Sequence, residues 1–293
     1  MSNNKKTKFT VKEDGFFGEL FENENIIYKD KVLIVCPGSN GEFEKVKLIC
    51  KGVSESGITT LGINYFNAPD TPSALCHVPL DYVENAAKYL KSIGFKKIGI
   101  WGISMGAVYA LLCASYFPDL ISLVVAASPM YYVLPAIDSK KNISLEGSAF
   151  SYKGEDIPFE PYRQNMTFFR NFFETIKHLE PNLSYLYDPI VGNVPENHII
   201  PVEKMKARVI LISGKLDNLW PSTKSGELIM ERLKKYNYAY PYEHIICEHG
   251  SHLMVPYNFL NDKVFRACRS YPKDNERYRK EHYEKLVETF KIW

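Results

Sequence analysis

The sequence predicts an α/β fold in which a mostly parallel sheet is flanked by helices and carries an inserted lid. Nearly continuous apolar runs such as Lys31 to Cys36 are typical of strands that are buried on both faces of a sheet. Segments with helical spacing alternate with these runs, which favours parallel strands. The alternation stops over residues 130–206. This stretch is too long for a plain loop, so we interpret it as a lid over the sheet.

The individual elements follow from apolar spacing and from turn residues at their ends. The predicted strands are a possible one at Asn25 to Lys29, then Lys31 to Cys36, Ile58 to Phe66, Lys97 to Ile103, Ser122 to Ala127, Arg208 to Ser213 and Tyr242 to Cys247. The predicted helices are Phe43 to Val53, Asp81 to Ile93, Met105 to Tyr116, a lid helix around Met166 to His178, Ser222 to Tyr236 and Asn275 to Phe290.

Composition narrows the class of protein. The chain has 293 residues with a formal net charge of +2, so no basic field argues for a nucleic-acid partner. No apolar run approaches the roughly 18 residues of a membrane span, and the polar start over residues 1–15 does not resemble a secretory signal. Six cysteines without a C-x-x-C pair indicate free thiols in a reducing compartment. We therefore expect a cytoplasmic protein with no metal and no other cofactor.

A G-x-S-x-G motif occupies Gly102 to Gly106. It follows the predicted strand Lys97 to Ile103 and opens the predicted helix Met105 to Tyr116, which is the context of a nucleophile elbow. Small residues two positions before and after the serine let strand and helix approach, and the serine lies where the helix dipole favours developing negative charge. We therefore predict the α/β-hydrolase fold with Ser104 as the nucleophile. The alternative is a glycine-rich turn with an idle serine.

A serine hydroxyl needs a neutral imidazole in reach before it can attack. In this fold the acid and then the histidine follow the serine along the chain. Of the seven histidines, only His249 and His252 lie in the loop after the last predicted strand. We prefer His252, because Gly250 and Ser251 place it well clear of the strand end, and keep His249 as the alternative.

The acid is expected directly after the preceding strand. Asp217 is the only carboxylate between the strand Arg208 to Ser213 and Glu227. A carboxylate at this place would hold the imidazole tautomer and stabilise the imidazolium without taking the proton itself. The alternative is an ordinary turn or helix-start aspartate.

The developing oxyanion requires backbone N–H donors. One donor is expected from Met105, the residue after the nucleophile, and the other from the loop Pro37 to Gly41. Within this loop we choose Ser39 and keep Gly38 as the alternative.

Several segments are more specific than the general hydrolase pattern. They are LGINYFN (61–67), GISMGA (102–107), SYKGEDIP (151–158), IPVEKMKARVILISGKLDNLWPS (200–222) and GSHLMVPY (250–257). Through them the chain resembles the catalytic domain shared by acyl-CoA thioesterases and bile acid-CoA:amino acid N-acyltransferases. The resemblance covers roughly residues 30–293. It implies a triad of Ser104, Asp217 and His252 and an acyl-CoA thioester as substrate.

The chain departs from that family in two ways. Animal members carry a β-sandwich domain ahead of the catalytic one, where this chain has about 30 residues. The amino-acid-conjugating branch has a cysteine nucleophile, whereas this chain has Ser104; an oxygen ester hydrolyses readily, so serine favours water as the acyl acceptor. We expect an N-terminal extension over residues 1–30 and a catalytic domain over residues 31–293, with the lid at about residues 130–206.

The expected function is therefore serine-dependent hydrolysis of acyl thioesters through an acyl-enzyme. A carboxylesterase, a peptide or lactone hydrolase, an N-acyltransferase and a non-catalytic ligand-binding protein remain alternatives. The expected partner is a small acyl ester or acyl-CoA thioester. Lys204, Lys206 and Arg208 form a basic cluster that could bind the phosphates of coenzyme A. The simpler interpretation of this cluster is a solvated part of the protein surface. The lid contains Met130 and many aromatic residues, which could line an acyl pocket or form the lid's own core. The aromatic residues are Tyr131, Tyr132, Phe150, Tyr152, Phe159, Phe168, Phe169, Phe172 and Phe173.

Overall fold

The computed structural model describes residues 6–256 and 262–293. The strands are β1 Lys8–Phe9, β2 Gly18–Phe21, β3 Lys31–Cys36, β4 Thr59–Ile63, β5 Val78–Pro79, β6 Lys97–Ile103, β7 Leu123–Ala127, β8 Pro135–Asp138, β9 Ile143–Ser148, β10 Phe150–Tyr152, β11 Glu155–Asp156, β12 Arg208–Gly214 and β13 Tyr242–Cys247. The α-helices are α1 Val11–Asp14, α2 Phe43–Ser54, α3 Asp81–Ser92, α4 Met105–Tyr116, α5 Phe168–His178, α6 Ser184–Tyr187, α7 Ser222–Lys235, α8 Arg266–Ser270 and α9 Pro272–Ile292. Short 3₁₀ turns lie at Glu196–His198, Val202–Lys204 and Asp262–Val264.

Within the described ranges, eight strands form one sheet in the order β1-β2-β4-β3-β6-β7-β12-β13. The six strands from β4 to β13 in this order are mutually parallel, and β1 and β2 add an antiparallel edge. The carboxyl ends of the parallel strands therefore meet along one edge of the sheet. This arrangement confirms the predicted fold class, a mostly parallel α/β sheet of the α/β-hydrolase type.

The two faces of the sheet bury two separate apolar clusters. Alternate residues of β3 show this division, because Val32 and Ile34 pack in one cluster while Leu33 and Val35 pack in the other. Helix α2 and the long helix α9 cover the second face. Helix α4 lies on the first face, and its residues from Met105 through Ser115 are all buried. A helix that is apolar all round is typical of one enclosed on every side, here between the sheet and the lid.

The strand order places a crevice next to β3. From β3 the chain moves to β4 on one side and later to β6 on the other side. Open α/β sheets bind ligands outside the carboxyl ends of the strands at such a reversal of order. The loops that follow β3 and β6 at this point contain Ser39 and Ser104.

The lid is built from short pieces rather than one helix. Strands β8 and β9 form a hairpin, while β10 pairs with β11 and runs parallel to β5 outside the lid. The predicted lid helix around Met166 to His178 begins slightly later, at Phe168, where the Thr167 hydroxyl accepts a hydrogen bond from the Arg170 N–H.

Two sequence predictions near the N-terminus need correction. The possible strand at Asn25 to Lys29 is wrong: these residues form a loop, and the N–H of Ile27 donates to the Gly57 carbonyl. Two strands in residues 8–21 were not predicted, and they extend the central sheet.

The division into residues 1–30 and 31–293 stays a prediction. Residues 1–5 of that extension and Tyr257 at the end of the segment 250–257 lie outside the described residues.

The six cysteines agree with the expectation of free thiols. The six cysteines are free thiols; five are buried and Cys76 is partly exposed. In the described parts of the chain, no helix combines the length and apolarity that crossing a bilayer requires.

Candidate active site

Ser104 lies at a sharp turn between β6 and α4. Its backbone has φ of 58° and ψ of −124°, a conformation that costs energy for a residue with a side chain. The Ser104 N–H donates to the Ala127 carbonyl at the end of β7 at 2.9 Å, which anchors the strained residue to the sheet. This is the backbone geometry expected of a nucleophile elbow.

The glycines on either side of Ser104 are required by close backbone contacts. A Cβ on Gly102 would lie 2.0 Å from the carbonyl oxygen of Gly106, and a Cβ on Gly106 would lie 2.2 Å from that of Pro37. Backbone atoms cannot move away as a flexible side chain can. The motif therefore has a packing reason at both glycines, as the sequence predicted.

His252 and Asp217 form a buried pair. The Nδ1 atom of His252 lies 3.0 Å from Oδ1 and 2.9 Å from Oδ2 of Asp217. The side chains are 4% and 1% exposed, so the contact is screened little by solvent. The pair joins the loop after β13 to the loop after β12, two neighbouring strands of the sheet.

Other donors complete the environment of the Asp217 carboxylate. The N–H groups of Leu219 and Trp220 donate to Oδ1 at 3.0 and 3.3 Å, and the Ser222 hydroxyl donates to Oδ2 at 2.6 Å. An ionised carboxylate is only an acceptor, so His252 must donate through Nδ1–H. In the neutral imidazole this leaves Nε2 as an acceptor, the tautomer that a general base requires.

The ring of His252 is held by packing as well. It lies edge-on to Trp220, with ring centroids 5.3 Å apart. The Trp220 indole N–H donates to the Ser128 carbonyl, and the Ser128 hydroxyl donates to the His252 carbonyl. Sequence reasoning did not find Trp220, Ser128 or Ser222, because these contacts arise only in the folded protein.

An apolar cavity of about 210 Å³ contains both Ser104 and His252 in its wall. The other lining residues come from the loop after β3, from α2 and β6, and from the loops around β12 and β13: Cys36, Pro37, Gly38, Ser39, Asn40, Glu42, Lys45, Val46, Ile49, Trp101, Ile103, Leu219, Leu253, Val255 and Phe265. Glu42 and Lys45 form an ion pair at 2.9 Å and supply its charged part.

The imidazole Nε2 of His252 is buried and has no hydrogen-bond partner among the described residues. No hydrogen bond joins it to Ser104 in the described structure, although both residues line the same cavity. Catalytic hydrogen bonds are often long without substrate and shorten in the complex. A buried acceptor that faces an apolar cavity is therefore available to a proton from the serine or from water.

The predicted oxyanion donors lie around Ser104. Met105 opens α4 directly after it, and Gly38 and Ser39 line the cavity that contains it. Gly41, with φ of 58°, closes this loop by donating its N–H to the Gly38 carbonyl at 3.2 Å. The Ser39 carbonyl accepts from the Ser139 hydroxyl, which ties the loop to the lid. The assignment of Met105 and Ser39 as oxyanion donors stays a prediction.

The alternative base His249 has a different environment. Its Nδ1 lies 2.6 Å from the Asp274 carboxylate, and its ring stacks on Tyr271 with centroids 3.9 Å apart. It does not line the cavity of Ser104. His244 on β13 instead contacts the Ser213 hydroxyl, and burial lowers its pKa. The geometry thus favours His252.

The lid aromatics do not line this cavity. Met130, Tyr131, Tyr132 and Phe150 are buried in the cluster between the lid and α4, which agrees with their interpretation as core. Four others lie exposed on α5: Phe168, Phe169, Phe172 and Phe173. The described residues contain no cluster of three potential metal ligands.

Comparison with known families gives one match that covers most of the chain. The family described as BAAT / acyl-CoA thioester hydrolase C terminal matches residues 78–269. This range includes the elbow, the lid and both loops that carry Asp217 and His252.

Curated relatives match at low identity. Acyl-coenzyme A thioesterase 1 of Mus musculus is 26% identical over 220 residues, 69% of this chain and 47% of the relative. Peroxisomal succinyl-coenzyme A thioesterase of Mus musculus is 24% identical over 198 residues, 64% of this chain and 41% of the relative. Acyl-coenzyme A amino acid N-acyltransferase 1 of Mus musculus is 25% identical over 189 residues, 63% of this chain and 39% of the relative. The chain thus spans less than half the length of these relatives.

Solved structures resemble the chain in fold. Est1E from Butyrivibrio proteoclasticus superposes with a TM-score of 0.52 at 15% identity, covering 97% of this chain and 98% of that one. Acylaminoacyl peptidase from Pyrococcus horikoshii superposes with a TM-score of 0.53 at 13% identity, covering 94% of this chain and 39% of that one.

Proposed function

Because this chain belongs to the BAAT / acyl-CoA thioester hydrolase C-terminal family, we propose that it is a serine hydrolase that cleaves acyl-CoA thioesters. Ser104 is the nucleophile, His252 the general base and Asp217 the residue that orients the base. The observation that carries the proposal is the buried Asp217–His252 pair. The Nε2 atom of His252 has no hydrogen-bond partner in the described part of the chain, and His252 lines the same cavity as a serine on a strained elbow.

The reaction proceeds in two steps in this proposal. His252 Nε2 takes the proton of the Ser104 hydroxyl as Oγ attacks the thioester carbonyl carbon. The amides of Met105 and Ser39 stabilise the oxyanion. The carbon–sulfur bond then breaks, and coenzyme A leaves as a thiol with the proton from His252. In the second step His252 takes a proton from water, hydroxide attacks the acyl-serine, and Oγ regains the proton as the carboxylic acid is released.

The cavity suits a short acyl chain. An apolar cavity of roughly 150 Å³ holds one benzene molecule, so a cavity of about 210 Å³ fits a chain only modestly larger. Val46, Ile49 and Val255 are among its apolar wall residues. We assign this cavity to the acyl group of the substrate and the protein surface outside its mouth to coenzyme A. Ser104 favours water over an amine as the acceptor, as its oxygen ester hydrolyses readily.

The decisive experiment measures thiol release from a series of acyl-CoAs by the purified chain and by Ser104→Ala. We expect the substitution to lower kcat by about 10⁴- to 10⁶-fold and to abolish labelling by a fluorophosphonate probe. Ser115→Ala is the matched control: Ser115 lies on the same helix, and its hydroxyl donates to the Leu111 carbonyl. We expect this variant to keep its rate within a few fold.

Two outcomes separate the parts of the proposal. If Ser104→Ala turned over substrate at the wild-type rate, the assignment of Ser104 as the nucleophile would be wrong. Rapid cleavage of nitrophenyl esters without thiol release from any acyl-CoA would leave the triad in place and show that the thioester assignment is wrong. Glycine added to the assay tests the acceptor, because an N-acyltransferase would form the amide instead of the free acid.

A further inference from the structure

Helix α5 in the lid is oriented with its apolar side toward solvent. Its large apolar side chains recur at positions 168, 169, 172, 173 and 176, the spacing of one helix face. They are between 52% and 73% exposed, and α5 has no buried residue. Surface helices normally show the opposite orientation. An exposed apolar patch of this kind usually marks an interaction site.

Polar contacts hold the opposite side of α5 against the protein. The Tyr185 hydroxyl donates to the Asn171 side chain at 2.6 Å, and the Arg170 guanidinium stacks 4.0 Å above the Tyr185 ring. The side chain of Glu174 is only 22% exposed. The outward position of the apolar side is therefore set by specific contacts, and turning it inward would require breaking them.

The apolar surface continues onto the segment before α8. Leu179 and Val264 are 72% and 45% exposed. The Arg269 guanidinium joins the two segments by donating to the carbonyls of Leu179 at 2.5 Å and of Val264 at 2.9 Å. We call this surface the apolar face, and it comprises Phe168, Phe169, Phe172, Phe173, Ile176, Leu179 and Val264.

Positive charge borders the apolar face. Exposed cationic side chains on the same segments are Lys177, Lys263, Arg266 and Arg269. The nearby carboxylates already have partners, and one of these partners is Lys177 itself. Glu180 is 2% exposed and accepts from Asn218 and from the Arg266 N–H. Asp262 pairs with Arg279, and Glu174 is shared by Lys177 and His178.

We propose that the apolar face is a docking surface for an anionic phospholipid bilayer. Helices with aromatic residues on one side and Lys or Arg at its border lie in the plane of a membrane interface with the apolar side inserted among the lipid tails. Basic residues near an anionic leaflet add further attraction. The phenyl rings of α5 enter the acyl-chain region, and Lys177, Lys263 and Arg266 contact the phosphates.

The charges favour lipid over a second copy of the chain. A symmetric dimer through this surface would bring the same patch from each copy together. Its cationic borders would then face each other, and such like-charge contacts are unfavourable. An anionic bilayer supplies the opposite charge.

Docking in this orientation places the candidate active site beside the lipid. Phe168 and Phe172 line a groove of about 320 Å³ that also contains Leu219. Leu219 lines the cavity of Ser104 as well. The groove therefore leads from the membrane surface toward the cavity, although lipid binding itself does not depend on the proposed hydrolysis.

The test is vesicle flotation of the full chain with phosphatidylcholine alone and with added phosphatidylglycerol. We expect binding to the anionic vesicles, weakened about a hundredfold by the double substitution Phe169→Ser and Phe173→Ser, since transfer of one phenyl ring is worth about tenfold or more. Neither residue lines the groove or the cavity. Ile292→Ser is the matched control, because Ile292 is 67% exposed at the end of α9, and we expect it to bind as the wild type does.

The charge contribution is tested separately. Lys177→Glu with Lys263→Glu is expected to weaken binding to anionic vesicles about tenfold or more while leaving weak binding to phosphatidylcholine unchanged. Absence of binding to either vesicle would overturn the proposal. Sedimentation velocity tests whether a second copy of the chain covers the apolar face. A wild-type dimer that Phe169→Ser and Phe173→Ser convert to a monomer would show this and would overturn the lipid proposal. A urea unfolding midpoint equal to that of the wild type reports that the variants fold, so this control is independent of the proposed hydrolysis.

Discussion

At the scale of single residues, the hydrogen bonds of Asp217 explain how the proposed base is oriented. Its carboxylate accepts from His252, from the N–H groups of Leu219 and Trp220, and from the Ser222 hydroxyl. Each bond to a charged acceptor is stronger than a bond between neutral groups. The carboxylate is thus fixed in position, and the imidazole is fixed by it.

Asp217→Asn should therefore lower turnover while leaving the fold intact. The amide can present an N–H to Nδ1 of His252, which would move the ring proton to Nε2 and remove the acceptor that the serine needs. We expect kcat to fall by about 10⁴-fold with little change in the denaturant midpoint. Ser222→Ala is the comparison, since it removes one donor to Asp217 without changing the tautomer. Equal losses in both variants would contradict the tautomer argument.

The sequence is enough to propose Ser104, Asp217 and His252, because their order along the chain and the motif around Ser104 identify them. Ser104 follows a strand and opens a helix, and Asp217 and His252 each follow a strand of the same sheet. The cavity wall could not be obtained in this way. It combines α2 with residues more than 200 positions away, such as Val255 and Phe265. The aromatic content of the lid suggested the lid residues as a pocket lining or as the lid's own core.

At the scale of elements, helix α9 is attached to the central sheet through a buried histidine. The Trp101 indole N–H on β6 donates to Nε2 of His282 on α9 at 3.0 Å. Burial lowers the pKa of His282 to about 4. The imidazole is therefore neutral in the folded protein at neutral pH, which its role as an acceptor requires.

This contact predicts a loss of stability in mild acid. Below the ordinary histidine pKa of about 6.5 the unfolded chain binds a proton that folded His282 does not bind. The free energy of unfolding should therefore fall between about pH 6.5 and pH 4 and level off below, with a loss of about 2 kcal/mol at pH 5. Urea unfolding of the wild type and His282→Gln at pH 7.5 and pH 5 measures this. The same pH dependence in both proteins would contradict the assignment to His282.

Short elements mark the limit of prediction from sequence at this scale. Strands β1 and β2 have two and four residues, too few to show a period, and they are identified only by pairing with each other and with β4. The apolar pair Ile26 and Ile27 suggested a strand instead, yet Ile27 is 66% exposed. Longer strands such as β3 and β6 were predictable because both of their faces are buried.

At the scale of the whole molecule, the proposed acyl cavity results from packing across the sheet. Helix α2 contributes Val46 and Ile49 to one wall, and the loop after β13 contributes Leu253 and Val255 to another. Ser104, the proposed nucleophile, lines the same cavity and follows β6, next to the reversal of strand order. Acyl-chain preference should therefore depend on α2, which lies outside both the elbow and the lid.

Ile49→Ala should shift the preference toward longer acyl chains. Removing part of the side chain enlarges the cavity, and one methylene in an apolar pocket changes discrimination by about tenfold or more. We expect the ratio of kcat/KM for a longer acyl-CoA to that for a shorter one to rise about tenfold. Val53→Ala is the matched control, because Val53 is buried on the same helix but does not line the cavity. Both variants should lose stability from the removed core volume, and an equal shift in preference in both would show that general loosening, and not the cavity wall, selects the chain length.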